Sequence, residues 1–536
     1  MSRPKLCLGL AALAALACLV MLFKVSPLRR PVYAQLHALS YLRVGRFQKM
    51  IESRPSEWAG YLNERPILSR LAVQADHARG YYDRPFKLTL RQPTGAAIYY
   101  RTDGGVPTVH DARYARPITI DRTTLLSFAA IGSDLRAGPV ETHSYLVGET
   151  LALPVLALAV QPTLLWNRHA GIYRQPHQRG RAWWRPAQAE LFHDKNSLPL
   201  RLLGQIKIHG NWTRSAEKKS FQMVYDGIGA NSMFASVGQR TLVVRASAID
   251  VSYRLGDELF RSLYADAGGL TPSVTRVRLL LNGGKWGLYN LQDQIDQAYL
   301  QRTQGPGDYD LVDDAGFFET PDGAAWNHLL KFFLSRDLSQ ENNFAQAKQL
   351  IDIENFTDYW LFNIYAGNFD WPQNNYYAFR KRSGDGRWRW LSRDSDAAFD
   401  ANKGLVHDTL TWATRGELRH DLSYSGTVPD DETWVASTAI IRGLLRNRSY
   451  QARFTRRFCE LRNSYFQPRL LQARFQKIAA QIRPHLADDW ERWPGSEQAY
   501  YRGVEGVRRF INERPAMVLE HFRKYFGGID CSPSGL

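Results

Sequence analysis

The sequence is short of cysteine, with four in 536 residues, too few for a disulfide framework. Cys7 and Cys18 lie in an apolar segment, so only Cys459 and Cys531 are left to pair, and nothing in the sequence requires that they do. No C-x-x-C or H-E-x-x-H pattern occurs, which argues against a zinc site. There is no Lys/Arg run of five and no motif that reads RNA or DNA, so no specific nucleic-acid partner is expected. Acidic residues are in deficit, 52 against 69 basic, for a formal charge of +17. Scattered arginine of this kind suits anionic partners in general, such as nucleotide phosphates, lipid headgroups or nucleic acid backbone, but a solvated basic surface is the better explanation of it.

Long apolar runs are also scarce. One, Leu6 to Phe23, lies between Lys5 and Lys24 and is close to the lower length limit for a bilayer-spanning helix. A cleaved signal peptide competes with it, but the small residue in Val32-Tyr33-Ala34 lies well past the run, with Arg29 and Arg30 between. The adopted expectation is an uncleaved single-pass anchor over residues 1–32 with the body extracytoplasmic. Basic residues flank both ends, so that orientation rests on the short N-terminus ahead of a large domain.

The remaining length predicts two to four domains. Residues 33–74 carry Leu36, Leu39, Leu42, Phe47 and Ile51 at loosely helical spacing, broken by Pro55 and Pro66, as in a helical stalk. Residues 75–148 change to short alternating runs between turn residues, as in a small antiparallel β-sandwich, with Asp103-Gly104-Gly105 as a tight hairpin. Residues 149–530 read as α+β. A strand from Leu202 to His209, a polar loop from Gly210 to Ser215 and a strand returning from Lys218-Lys219 make a hairpin that could close over a triphosphate. Side chains alternate along a strand, so Lys218 and Lys219 cannot share one cleft, and one of them is expected to face solvent. Leu242 to Arg245 is a further strand, Ser252 to Tyr264 a helix, and Val277–Leu281 with Trp286–Leu291 a hairpin through Asn282-Gly283.

The stretch from Asn363 to Asp400 places Asp370 five residues before Asn375, then a hairpin turning at Ser383 to Gly386, then Asp394 and Asp396. A base, an amide five residues on and an acid past a hairpin is the order used for phosphoryl transfer by protein kinases. Singly, each residue has an ordinary structural explanation as a helix cap, a turn or a solvated loop. The ordered set carries the chemistry.

Two resemblances add to this. The segment I-Y-Y-R-T-D-G-G-V-P-T from Ile98, followed by Y-A-R-P-I-T-I from Tyr114, resembles the chitobiase/β-hexosaminidase C-terminal-type module, an immunoglobulin-like accessory domain. The blocks H-G-N-W-T-R-S-A-E-K-K-S-F, L-L-N-G-G-K-W-G-L-Y-N-L-Q-D-Q-I-D and D-W-P-Q-N-N-Y-Y-A-F, ahead of W-R-W-L-S-R-D-S-D, resemble the CotH family of spore-coat protein H-like atypical kinases. The likeness runs from about residue 150 to 528. It implies a reduced protein-kinase-like domain with a helical C-terminal part, ATP with Mg2+ (or Mn2+), and transfer of the γ-phosphoryl to a protein Ser/Thr hydroxyl of an envelope or surface protein. On that view Asp370 orients the acceptor hydroxyl, Asn375, Asp394 and Asp396 serve the metal, and Lys219, fixed by Asp293, meets the phosphates with Asn211 and Arg214 of the hairpin tip. The sandwich would make any glycan or envelope contact, and the N-terminal helix the membrane contact. Three positions depart from the family pattern: Asp293 where Glu is usual, His209 where Arg is usual, and Arg393 where Trp is usual. They keep open the alternative of an inactive binding or structural protein on a kinase-like scaffold.

Overall fold

The computed structural model describes residues 69–149, 152–226, 240–246, 255–313, 323–384, 386–416 and 431–532. The expected anchor over 1–32 and nearly all of the stalk lie outside these residues. Among the described residues no helix is long and apolar enough to cross a membrane, so the single-pass membrane placement is withdrawn. Met1–Ser69 and Arg179–Trp184 group as one unit, whose described part holds a 3-10 turn at Arg181–Trp183. Everything below concerns the other unit, Arg70–Gln178 with Arg185–Leu536.

Its first part is all β. Strands β1 (Gln74–Ala75), β2 (Gly80–Tyr82), β3 (Phe86–Leu88), β4 (Leu90–Arg91), β5 (Ala97–Arg101), β6 (Ala112–Arg113), β7 (Ile118–Ile120), β8 (Thr124–Ile131) and β9 (Glu141–Val147) form a five-stranded sheet in the order β2-β9-β8-β5-β6 and two short pairs, β1-β4 and β3-β7. Leu126, Phe128 and Leu146 are fully buried between them. Asp103-Gly104-Gly105 is not a tight hairpin: β5 and β6 pair through Tyr99 and Arg113, and the connection is pinned by Arg101, which ion-pairs with both Asp103 and Asp111.

A closed barrel follows: β10 (Val155–Val160), β11 (Arg185–Phe192), β12 (Leu200–His209), β13 (Ser220–Asp226), β14 (Arg240–Ala246), β15 (Val274–Leu281) and β16 (Gly284–Asp293). Neighbours are antiparallel except β10 and β15, whose parallel pairing closes the ring. The β15–β16 turn places Asn282 at φ 52° and Gly283 at φ 79°, the left-handed pair an Asn-Gly turn is suited to adopt. A helix, α1 (Pro162–Trp166), interrupts the strands after β10. The sandwich and barrel meet on a small apolar cluster of Leu146, Val155, Ala157, Phe192 and Leu280. Beside it Glu190, 1% exposed, takes a 2.6 Å ion pair from Arg79 and the Ser144 N–H at 2.8 Å.

Beyond the barrel lie α2 (Leu255–Asp266, between β14 and β15), α3 (Gln297–Gln304), β17 (Tyr309–Asp313), α4 (Ala324–Ser335), α5 (Glu341–Leu350), α6 (Ile353–Tyr365), β18 (Tyr376–Lys381), β19 (Arg389–Ser392) and α7 (Thr409–Thr414). The C-terminal part is helical: α8 (Asp431–Leu444), α9 (Arg448–Ser464), α10 (Pro468–Ile482), α11 (Leu486–Trp490) and α12 (Glu497–Phe526). The fold is thus mixed α/β with a helical end. Strands β17, β18 and β19 form a separate antiparallel sheet. One aromatic-rich core joins α2, α6 and the C-terminal helices, and Trp371, Trp388 and Trp390 are all buried at 3% exposure or less. Cys459 and Cys531 form a disulfide.

Candidate active site

Helix α2 is amphipathic for two different neighbours. Leu259, Phe260, Leu263 and Tyr264 enter the aromatic core, whereas Asp257 and Arg261, one turn apart, are also buried. A buried carboxylate needs partners, and Asp257 has them. Its Oδ2 accepts from Arg261 at 2.9 Å, and its Oδ1 accepts the backbone N–H of Ser395 at 2.9 Å. Ser395 is the middle residue of Asp394-Ser395-Asp396, so α2 holds the loop that follows β19. The fit is close, because a Cβ added at Gly256 would sit 2.5 Å from the Ala398 carbonyl oxygen.

Arg245, near the end of β14, reaches the same loop. Its Nη2 ion-pairs with Asp394 and, at 3.1 Å, with Asp396. Burial alone would lower its pKa, but Asp394, Asp396 and Asp257 outweigh that and raise it. Ligand oxygens of Asp257, Asp394 and Asp396 all lie within 4.8 Å of one another. Three carboxylates at that spacing are a hard oxygen donor set, which fits Mg2+ or Mn2+ rather than a softer ion.

Asp370 and Asn375 sit in the loop between α6 and β18. Asn368 shapes it, donating to Asn363 Oδ1 at 2.9 Å and accepting from the Asp370 N–H at 3.3 Å. The amides of Asn374 and Asn375 both donate to Asp370 Oδ2, at 3.2 and 2.8 Å. Asn375 adopts φ 60°, a left-handed conformation that Asn tolerates better than most residues. In the β18–β19 ladder Tyr376 lies opposite Ser392. Asn375 therefore enters and Asp394 leaves at the same end of that sheet, which brings the Asp370–Asn375 loop and the Asp394–Asp396 loop to one place.

The upstream residues are arranged otherwise. Lys219 donates through Nζ to the carbonyls of Arg214 at 2.8 Å and Ala216 at 2.7 Å, and lies over the Tyr173 ring. Its pKa is lowered by burial. Asp293 pairs instead with Arg302 of α3 at 2.6 Å, so the expected Lys219–Asp293 pair is not formed. Neither lysine faces solvent: Lys218 and Lys219 are each 6% exposed, and Lys218 makes a 2.6 Å ion pair with Asp489 of α11. Their side chains diverge, though both residues precede β13, which begins at Ser220, and both are covered. Arg214 is also buried and donates to the carbonyls of Ile208, Gly210, Pro176 and Gln178, staples for the hairpin tip. Asn211 is exposed at that tip.

Two of the unusual positions meet each other. Arg393 donates to His209 Nε2 at 3.2 Å and to the Tyr377 hydroxyl. The His209 pKa is pushed well below its ordinary value by burial, then by Arg393 and Arg245, so the ring is a neutral acceptor. The cation at position 393 is turned toward the β12 hairpin. Sequence reasoning missed Arg245, Asp257 and Arg261. The available signals were a lone cation closing the apolar strand Leu242-Val-Val-Arg245 and an acid in the first turn of an apolar helix.

The model of the family described as CotH kinase protein matches residues 206–518, and that of the chitobiase/β-hexosaminidase C-terminal domain matches residues 77–142. Invasin CotH2 of Rhizopus delemar is 25% identical over 266 residues, which are 43% of this chain and 42% of the relative. The chain thus spans less than half the length of that relative. Among solved structures, the proinflammatory kinase CtkA of Helicobacter pylori aligns at 12% identity over 57% of this chain and 93% of its own, with a TM-score of 0.26. The HipA–HipB toxin–antitoxin complex of Shewanella oneidensis with its operator DNA aligns at 15% over 57% and 64%, with a TM-score of 0.23. At these TM-scores neither superposition bears on the fold.

Proposed function

Since this chain belongs to the CotH kinase protein family, we propose that it is an ATP-dependent phosphotransferase of reduced protein-kinase-like architecture, acting on a Ser or Thr hydroxyl of a protein. The observation that carries the reading is the convergence of Asp257, Asp394 and Asp396 on one point beside the buried Arg245.

In this reading Asp257, Asp394 and Asp396 would hold Mg2+ or Mn2+, with Asn375 as a further oxygen donor. A divalent ion held by these carboxylates would supply the positive charge that the phosphates of ATP need during transfer. Asp370 accepts the proton of the acceptor hydroxyl, its carboxylate aimed by the amides of Asn374 and Asn375. Arg245 supplies the cation that the sequence had suggested for Lys219. The hairpin tip at Asn211, braced by Arg214 and Lys219, offers backbone N–H groups over the phosphates. The β-sandwich is the part we assign to glycan or envelope contact.

A second reading, an inactive binding protein, is favoured by one observation: the Arg245 guanidinium bridges the two carboxylates a metal would use. A Mg2+-dependent thermal shift with ATP separates the two. The phosphotransferase reading expects a rise in Tm that Asp394→Ala abolishes, and phosphate transfer that Asp370→Ala lowers by about 10²-fold or more. No shift with ATP and Mg2+ leaves the inactive reading standing.

A further inference from the structure

Arg245 and Asn290 face each other across the β14–β16 ladder. Cross-strand partners project to the same side with Cβ atoms about 4.5–5.5 Å apart, so Asn290 lies on the face from which Arg245 reaches Asp394 and Asp396. Asn290 is 1% exposed, and among the described residues neither its Oδ1 nor its Nδ2 has a hydrogen-bond partner. The Nη1 of Arg245 is likewise buried and without one. Orphaned buried polar atoms are costly, and here an orphan acceptor and an orphan donor occupy opposite positions of one ladder. Arg276, the neighbour of Asn290 on the other side, ion-pairs through Nη2 with Glu258 of α2 and makes no hydrogen bond to the amide.

The carboxylates that could hold a divalent cation are the ones Arg245 already bridges. A metal arriving there must displace the guanidinium, and a buried guanidinium stripped of its acceptors is strongly unfavourable. We propose that Asn290 is a positioning residue that receives Arg245 when the metal takes Asp394 and Asp396. Arg245 then swings from the carboxylates to the Asn290 Oδ1, with its charge kept beside the metal centre for the phosphates. Binding of the metal and the position of Arg245 are one equilibrium, and Asn290 sets its midpoint. The inference rests on the carboxylate metal centre proposed above.

The test is titration of the full chain with Mn2+ alone, followed by the paramagnetic resonance signal of the free ion, with far-UV circular dichroism to confirm folding. Arg245→Gln removes the competitor and is expected to bind Mn2+ about tenfold tighter than wild type, a 1.4 kcal/mol change. Asn290→Leu removes the landing place and is expected to bind about tenfold weaker. Asn290→Asp, which captures the guanidinium, is expected to bind tighter. In an Arg245→Gln background both Asn290 effects vanish, because no guanidinium remains to be received. Wild-type affinity in Asn290→Leu, or the same loss in both backgrounds, overturns the proposal and indicates that a buried water satisfies the amide instead. Loss of Mn2+ binding in Asp394→Asn shows that the metal centre itself stands whatever Asn290 does. Absence of Mn2+ binding in both wild type and Arg245→Gln overturns the metal centre and this inference together.

Discussion

At the scale of single residues, the contact of His209 with Arg393 ties the β12 hairpin to the loop carrying Asp394, and its chemistry makes it sensitive to acid. The folded protein holds His209 neutral, while an unfolded chain binds the proton with a pKa of about 6.5. Below that value the unfolded state carries more protons, so stability falls as pH drops from about 6.5 toward the depressed folded value. His407, its pKa lowered to about 3 by burial and then by Arg514, acts in the same direction. His209→Gln keeps an acceptor for Arg393 and removes one titration. The decline of Tm between pH 7 and pH 5 should therefore be shallower in the variant, and an unchanged slope would show that the ring does not titrate on unfolding. Asp370, Asn375, Asp394 and Asp396 could be singled out together because they lie within one short stretch, but Asp257 could not, 138 residues ahead of its partner Ser395. Nor could Arg245, because its partner Asp396 is 151 residues away and only the closing of β14 beside α2 brings them together.

Among elements, the seat of α2 against the Asp394–Asp396 loop decides whether the acids converge. Gly256 is helical, so Gly256→Ala would gain up to about 1 kcal/mol of helix propensity. The new Cβ would meet a backbone carbonyl 2.5 Å away, and overpacking of this kind costs about 1–3 kcal/mol. The clash is expected to win, giving a lower Tm and weaker Mn2+ binding, and a stabilised variant with intact binding would contradict this account of the seat. A second element-scale contact joins α11 to the barrel, where Asp489 accepts from Lys218 and from the Leu288 N–H. Asp489→Ala leaves a buried lysine without its carboxylate and should cost about 3–5 kcal/mol by denaturant unfolding. Pairing it with Lys218→Met should recover much of that loss. The return strand β13 begins only at Ser220, so Lys218 and Lys219 precede it and their divergence does not come from strand alternation. Lys218 meets α11 and Lys219 the hairpin's own tip, so the solvent exposure expected for one of them is not found. The Asn-Gly hairpin was legible because its turn chemistry is local. Barrel closure was not, since the parallel pairing of β10 with β15 joins strands with four others between them in the sequence.

At the scale of the whole chain, two connections bind distant parts. The disulfide joins cysteines 72 positions apart, a separation at which a cross-link contributes about 2–4 kcal/mol, chiefly by restricting the unfolded chain. The Cys459→Ser, Cys531→Ser double variant should unfold at lower denaturant by that amount and lose its sensitivity to reductant. Equal midpoints for the wild type with and without reductant would mean that the bond does not form in solution. The sandwich is fastened to the barrel through Glu190, which is nearly fully buried and answers both Arg79 and the Ser144 backbone. The β-rich module and the strands after it were readable from alternation and turn residues, and the helical C-terminal part from the family resemblance. Their seam was not, because it depends on which polar residues are buried together.

The ion pair between Lys218 and Asp489 also has a meaning in time. The two residues are 271 positions apart, so a chain growing from its N-terminus makes the lysine long before the carboxylate that answers it. A barrel emerging on the ribosome therefore cannot reach its final charge balance until α11 has been synthesised.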